Sequence, residues 1–207
     1  MKKLILLLCI ASVMSCKNEN KVTETQVVNE SEITEENQSS SNELKFDASK
    51  TVLKWSAYKT PEKVAVHGSF DSIAVNNTQE SPIAEEVLSG ADFRIETSSM
   101  TTGDTSRDAK IIGLYFNNLS SPTITGKFGK FENQSVPVTI NMNNVEINKN
   151  FSYTFENKKI IITGVVDMLE DFKSESAFNF LHEACAELHM NKTWTDVSIE
   201  IISDLGN

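Results

Sequence analysis

The sequence predicts an all-β, mainly antiparallel fold closed into a barrel. Three observations carry that expectation. Segment after segment between residues 44 and 207 alternates apolar with polar side chains, the pattern of strands that are dry on one face and wet on the other. Glycines fall inside those segments at Gly68, Gly126, Gly129 and Gly164, where sheets bend tightly or bulge. The segments are joined mostly by short polar turns. Strands dry on one face suit a barrel, because closure removes the exposed edges of a flat sheet. A two-sheet sandwich fits the same alternation, which does not separate the two architectures.

In chain order, residues 1–15 read as a signal peptide. Lys2 and Lys3 precede an almost wholly apolar run from Leu4 to Val13, too short to span a bilayer, which takes about 20 residues. Val13-Met14-Ser15-Cys16 resembles the lipobox of bacterial lipoproteins, which implies that Cys16 is acylated and becomes the first mature residue. Lys17 then falls outside the inner-membrane retention pattern of such proteins, which points to the outer membrane of the cell envelope. Residues 16–43 follow as a lipidated cysteine and a disordered tether. From 17 to 43 there are seven Glu, two Lys and no aromatic residue. Such a segment cannot bury enough apolar surface to offset its ordering entropy, and as a coil it reaches roughly 30 Å.

The remaining 164 positions, 44–207, make one domain. A short strand is expected near Leu44–Phe46, then Val52 to Tyr58 with Trp55. Lys63 to Val75 alternates Val64, Val66, Gly68 and Phe70 against Ala65, His67, Ser69 and Asp71. Ser81-Pro82, Glu85-Glu86 and Gly90 supply cap, first-turn proline, acids and stop for a helix. Phe93, Ile95 and Thr97 oppose Arg94 and Glu96 in a strand. Thr105 and Asp108 form a capping-box pattern that starts a helix near Ser106, with Gly113 as its stop. Pro122 admits a strand over Ile124–Phe131. Val138, Ile140 and Met142 mark the next, and Phe151, Tyr153 and Phe155 another. Asn157-Lys158 reads as a hairpin turn into Ile160–Met168. Ser174 to Met190 carries Phe178, Leu181, Cys185 and Leu188 at helical spacing. Trp194, Val197, Ile199 and Ile201 end the chain as a strand. The total is eight or nine strands.

Charge and composition exclude several function classes. The net charge is −10, of which residues 1–15 hold +2 and 17–43 hold −5, leaving about −7 on the domain. Such a surface repels nucleic acid and offers no attraction to an anionic membrane. With Cys9 in the signal and Cys16 lipidated, only Cys185 remains, so no disulfide is available to the domain. There is no G-x-S-x-G elbow, H-E-x-x-H or P-loop, so no catalytic residue is assigned, and no cofactor. His182, Cys185 and His189 fall on one helical stripe and carry ligand atoms suited to zinc, copper or haem. The same stripe carries Phe178, Leu181 and Leu188, which favours plain packing. Arg107 and Asp108 read as helix-start electrostatics, with a ligand head group as the other option for Arg107. His67 is expected to face out.

The dry faces place Trp55, Val66, Phe70, Phe93, Ile95, Ile124, Phe128, Ile140, Met142, Tyr153, Phe155, Ile162 and Val166 in the interior. A barrel of eight strands is either filled by such side chains or holds one small ligand. The inward glycines Gly68, Gly126 and Gly164 would leave room between them. Composition does not choose.

The order of elements adds a further expectation. Ser98-Ser99-Met100, Thr102-Gly103, Arg107-Asp108, Tyr115-Phe116-Asn117 and Ser121-Pro122-Thr123-Ile124-Thr125, with Trp55 and Val66-His67-Gly68-Ser69-Phe70 upstream, resemble the YceI-like family of small bacterial proteins. The resemblance covers most of 44–207 and is closest before about residue 130. It implies an eight-stranded lipocalin-like barrel with short helices and one longer helix near the C-terminus. It also implies a hollow interior that holds a polyisoprenoid or isoprenoid quinone for storage or transport, and a binding protein rather than an enzyme. The other functions kept open are a filled barrel that acts as an interaction or stress-related surface protein, and metal or haem binding through His182, Cys185 and His189.

Overall fold

A computed structural model describes residues 43–206. The signal, Cys16 and nearly all of the tether lie outside the described residues. Ten strands form a single antiparallel sheet: β1 Thr51–Lys59, β2 Val64–Phe70, β3 Ile73–Asn76, β4 Asp92–Glu96, β5 Met100–Thr101, β6 Thr123–Phe128, β7 Ser135–Met142, β8 Val145–Glu156, β9 Lys159–Asp167 and β10 Thr193–Asp204. Three α-helices interrupt them: α1 Ala84–Val87, α2 Thr105–Leu114 and α3 Glu175–Cys185.

The strand order is β3-β4-β6-β7-β8-β9-β10-β1-β2-β5, and its two ends meet. β2 runs on into β3 through a bend at Asp71 and Ser72. β4 runs on into β5 through a 3-10 turn at Thr97–Ser99. Ser69 and Phe70 pair with Thr101 and Met100, and Ile73 to Asn76 pair with Ile95 to Asp92. Between these ladders Asp71 N donates to Ser99 O and Glu96 N to Ser72 O, each at 3.1 Å. β2–β3 and β4–β5 therefore act as two bent strands, and the ring closes with eight arms. The expected continuous strand Lys63–Val75 is thus broken once, at the bend that lets the barrel curve shut.

Local chemistry sets the other joints. Asn143-Asn144 and Asn157-Lys158 have φ of 55°, 59°, 52° and 63°. They join directly paired residues, Met142 to Val145 and Glu156 to Lys159. Two consecutive residues at positive φ make the turn whose twist matches that of flanking strands. α2 starts one residue earlier than the capping-box pattern predicts. Its cap is Asp104, whose carboxylate accepts from Ser106 N and Arg107 N at 3.0 and 3.1 Å. Asp108 instead ties the helix to the strand before it, accepting from Thr102 N at 2.8 Å and Thr102 Oγ1 at 2.6 Å. Gly113 does not end α2, because the Asn118 amide serves the free carbonyls of Gly113 and Leu114 at 3.2 and 3.1 Å. The strand expected at Leu44–Phe46 is a single bridge from Leu44 to Ser81.

The two barrel ends differ. One is plugged by Leu44, by α1 through Val87 and Leu88, and by Phe131, Val136, Ile160 and Leu205, all buried. The main chain holds this plug, with Lys45 N donating to Leu205 O and Leu205 N to Lys158 O. The other end is covered by α2 and α3, which pack on each other.

Candidate functional site: an apolar cavity inside the barrel

Between plug and helices lies a cavity of about 220 Å³. Nine of the thirteen residues expected in the interior line it: Trp55, Phe70, Phe93, Ile95, Ile124, Phe128, Ile140, Met142 and Val166. Four do not. Tyr153 and Ile162 point inward and are buried, but they belong to the plugged end, where Tyr153 packs edge-on against Phe131 at 5.1 Å. Phe155 is on the same face two residues farther along β8, past the plug, and is 36% exposed. Val66 is half-buried and off the cavity wall, although Ala57, its partner across the sheet, lines it. Alternation gives the face of β8 and β9 correctly for Tyr153, Phe155 and Ile162, yet the cavity occupies only part of the barrel's height.

The three inward glycines have a different role from the one expected. A Cβ added to Gly164 would meet Phe151 ring atoms at about 2.5 Å. One added to Gly126 would meet Phe93 Cε1 at 2.8 Å as well as the Thr139 carbonyl oxygen, and one added to Gly68 would meet Trp55 Cε2 at 2.5 Å and Thr101 O at 2.7 Å. Each glycine faces its ring directly across the sheet. Trp55 pairs with Gly68 and Phe93 with Gly126, while Phe151 falls opposite Gly164 in the register that pairs Ser152 with Thr163. The glycines therefore make room for protein rings and not for a ligand. Their effect on the cavity is indirect: a ring seated on a glycine stays against the wall and does not reach across the lumen.

Several further residues line the cavity that the sequence did not assign to its wall. Ile111, Tyr115 and Phe116 come from α2 and the turn after it, and Phe178 and Leu181 from α3. Their helical periodicity shows that they face something, but not that the partner is a cavity. Trp194, Val197, Ile199 and Ile201 line it from β10, and Phe151 from β8.

The wall holds no charged side chain. Its polar groups are Thr51, Trp55, Tyr115, Thr193, Trp194 and Ser203. Thr51 and Ser203 share a hydrogen bond of 2.7 Å. Tyr115 Oη lies 2.9 Å from Ser174 Oγ, and burial pushes its phenol up to about 12 against the smaller opposing effect of that bond. Trp194 Nε1 donates to Thr60 O at 2.9 Å. Thr193 Oγ1 meets His182 Nδ1 at 2.9 Å and His189 Nδ1 at 3.2 Å. A single hydroxyl serves both imidazoles by donating to one and accepting from the other. Burial, with Lys59 and His182 nearby, holds the His189 imidazole below the usual histidine range.

The same geometry shows how the two histidines of the metal alternative are engaged. His182 and His189 converge on Thr193, and His182 stacks on Phe178 with ring centroids 6.3 Å apart. Cys185 is buried. Among the described residues no group of three or more His, Cys, Asp or Glu is arranged to hold a metal ion. Arg107 pairs with Asp104 at 3.7 Å, and His67 is exposed with Nδ1 2.8 Å from Ser56 Oγ; neither lines the cavity.

Comparison with known proteins agrees with this architecture. The model of the YceI-like domain matches residues 44–201. The chain belongs to the YceI-like family. Three solved structures share the YceI-like fold at low identity. Burkholderia cenocepacia BcnA is 14% identical with a TM-score of 0.51, covering 76% of this chain and 98% of BcnA. A polyisoprenoid binding domain from Saccharophagus degradans, implicated in plant cell wall breakdown, is 15% identical with a TM-score of 0.53, covering 78% and 95%. A mutant YceI protein of Campylobacter jejuni is 17% identical with a TM-score of 0.51, covering 69% and 85%. No curated protein sequence matches the chain.

Proposed function

We propose that this YceI-like barrel binds one long apolar molecule, a polyisoprenoid or isoprenoid quinone, and stores or carries it in the cell envelope. The observation that carries the proposal is the cavity itself, about 220 Å³ walled by aliphatic and aromatic side chains without a charge. A packed barrel would have no such void, and even an engineered apolar cavity of ~150 Å³ stays dry and accepts an apolar guest. Membership of a family that includes a polyisoprenoid-binding domain supports the ligand class. Binding and not catalysis is the reading, which likeness to a polyisoprenoid binding domain supports. Lipidation at Cys16 with the acidic tether would keep the barrel near a membrane, the outer membrane by the sorting pattern, and clear of its surface. Mass spectrometry of organic extracts from the purified native protein is the test. A stoichiometric isoprenoid lipid is expected, and an extract with no lipid above the level of an unrelated lipoprotein sinks the reading.

A further inference from the structure

The lumen offers a polar head group nothing to bind. Thr51, Tyr115, Thr193, Trp194 and Ser203 spend their polar atoms on protein partners, and no charged side chain stands on the wall. The polar end of a bound chain therefore stays outside, because burying an uncompensated polar or charged group is costly. One barrel end is plugged, so the way out is the end covered by α2 and α3. There the wall ends at Thr193 and Trp194, and basic side chains gather around these two residues. Lys59 is the next residue on the inner face of β1 after Leu53, Trp55 and Ala57, and it pairs across the sheet with Thr193. His182 and His189 meet the Thr193 hydroxyl. Lys63 and Lys192 stand over the Trp194 ring, 4.8 and 4.4 Å from its centroid. Thr60 N donates to Lys192 O at 3.0 Å, so Lys59 and Lys192 lie on touching segments. Asp196 answers Lys63 at 2.8 Å. Among the described residues, neither Lys59 nor Lys192 has a carboxylate within ion-pair distance. Like charges so placed repel one another, and they do so on a domain whose net charge is about −7.

We propose that the mouth at Thr193 and Trp194 is a head-group site, and that the chain held in the cavity ends in an anion, a carboxylate or a phosphate, received by Lys59 and Lys192. The proposal rests on the cavity's being a lipid site and narrows that reading to anion-headed chains. An ammonium on a flexible four-carbon stem suits either anion. A neutral alcohol or carbonyl meets the same lysines with a weaker bond, since a pair with both partners ionised is shorter and stronger. The apolar lumen and the cationic mouth divide the ligand between them: the lumen takes the chain, and the head supplies the negative charge that no protein group brings to Lys59 and Lys192.

The test uses full-length protein stripped of bound lipid and three probes with one chain: farnesol, farnesoic acid and farnesyl phosphate. At low salt the wild type should bind at least one of the two anions about tenfold more tightly than farnesol, and added salt should shrink that margin without moving farnesol. The double variant Lys59→Met, Lys192→Met should lose the margin and bind farnesol as the wild type does, which also shows that it is folded. Lys59→Arg should keep the margin. Lys54→Met, on the outer face of the same strand and paired with Glu200, should change nothing. The two anions separate the possible heads: a phosphate favoured about tenfold over the carboxylate assigns a phosphorylated chain, and the reverse or parity assigns a fatty-acid-like one. Farnesol bound as tightly as both anions overturns the head-group site and leaves apolar binding intact. So does a double variant that keeps the margin or weakens all three probes alike, and so does a Lys54→Met variant that loses it equally. Binding of none of the three overturns the lipid-site reading itself.

Discussion

Gly164→Ala adds one methyl group to the inner face of the barrel, and the structure says where it goes. The new Cβ lands about 2.5 Å from Phe151 Cδ2 and Cε1, against an ordinary contact of 3.4 Å or more. The ring must retreat by about 1 Å, yet Phe151 is 3% exposed and belongs to the main core. Forced repacking of this kind costs about 1–3 kcal/mol, and with the ring met by its face the upper half of that range applies. With a urea m-value of about 2 kcal/mol/M, the midpoint should fall by about 1 M. A double-mutant cycle isolates the cause. Phe151→Ala alone should cost about 3–5 kcal/mol, tolerable in a domain stable by about 5–15 kcal/mol. In that background Gly164→Ala should cost nothing further, a coupling of about 2–3 kcal/mol. Urea unfolding followed by circular dichroism measures all four proteins. The reasoning fails if Gly164→Ala matches the wild type, or if its penalty persists without the Phe151 ring. By the same logic Gly126→Leu does not fill a void. It drives a side chain into Phe93 and a strand carbonyl, and should unfold the barrel rather than displace a ligand.

Three further predictions concern titration and targeting. The buried Tyr115 phenol is held up to about 12 against about 10 when unfolded. Its contribution is complete below pH 10 and is lost as pH rises towards 12, about 2–3 kcal/mol; Tyr115→Phe should flatten that part of a stability–pH profile. The His189 imidazole is held low by burial, so its share of stability is present above about pH 6.5 and falls as pH drops. His189→Gln should remove that acid-side loss in thermal unfolding scans from pH 7.5 to 5, and an unchanged slope would falsify the assignment. Cys16→Ser should move the protein from the membrane to the soluble fraction or stall its processing. A variant that is processed and fractionates like the wild type contradicts lipidation.

Period-two alternation placed most of the strands and their dry faces, because a side chain's face depends only on its own strand; it joined β2 to β3, missed β5 and drew a strand at Leu44–Phe46 where there is one bridge. The Asn157-Lys158 turn was legible for the same local reason, and so were the three helices, through caps and apolar spacing; the Asn143-Asn144 turn was not read from the sequence. The height of each residue along the barrel was not legible. Tyr153, Phe155 and Phe151 share one face of β8, but only Phe151 reaches the cavity, since Tyr153 meets the plug and Phe155 lies past it. Closure was also decided in three dimensions. Whether β2–β3 meets β4–β5 depends on hydrogen bonds between residues about 30 apart, set by a bend at Asp71 and Ser72. The glycines show the limit most clearly. Gly68, Gly126 and Gly164 read in sequence as free space, but a glycine's neighbour is whatever the cross-strand register puts opposite. Here that is Trp55, Phe93 and Phe151. The sequence by itself determined which residues face inward. Which of them fill the barrel and which line the cavity depends on the register of strands distant in the chain.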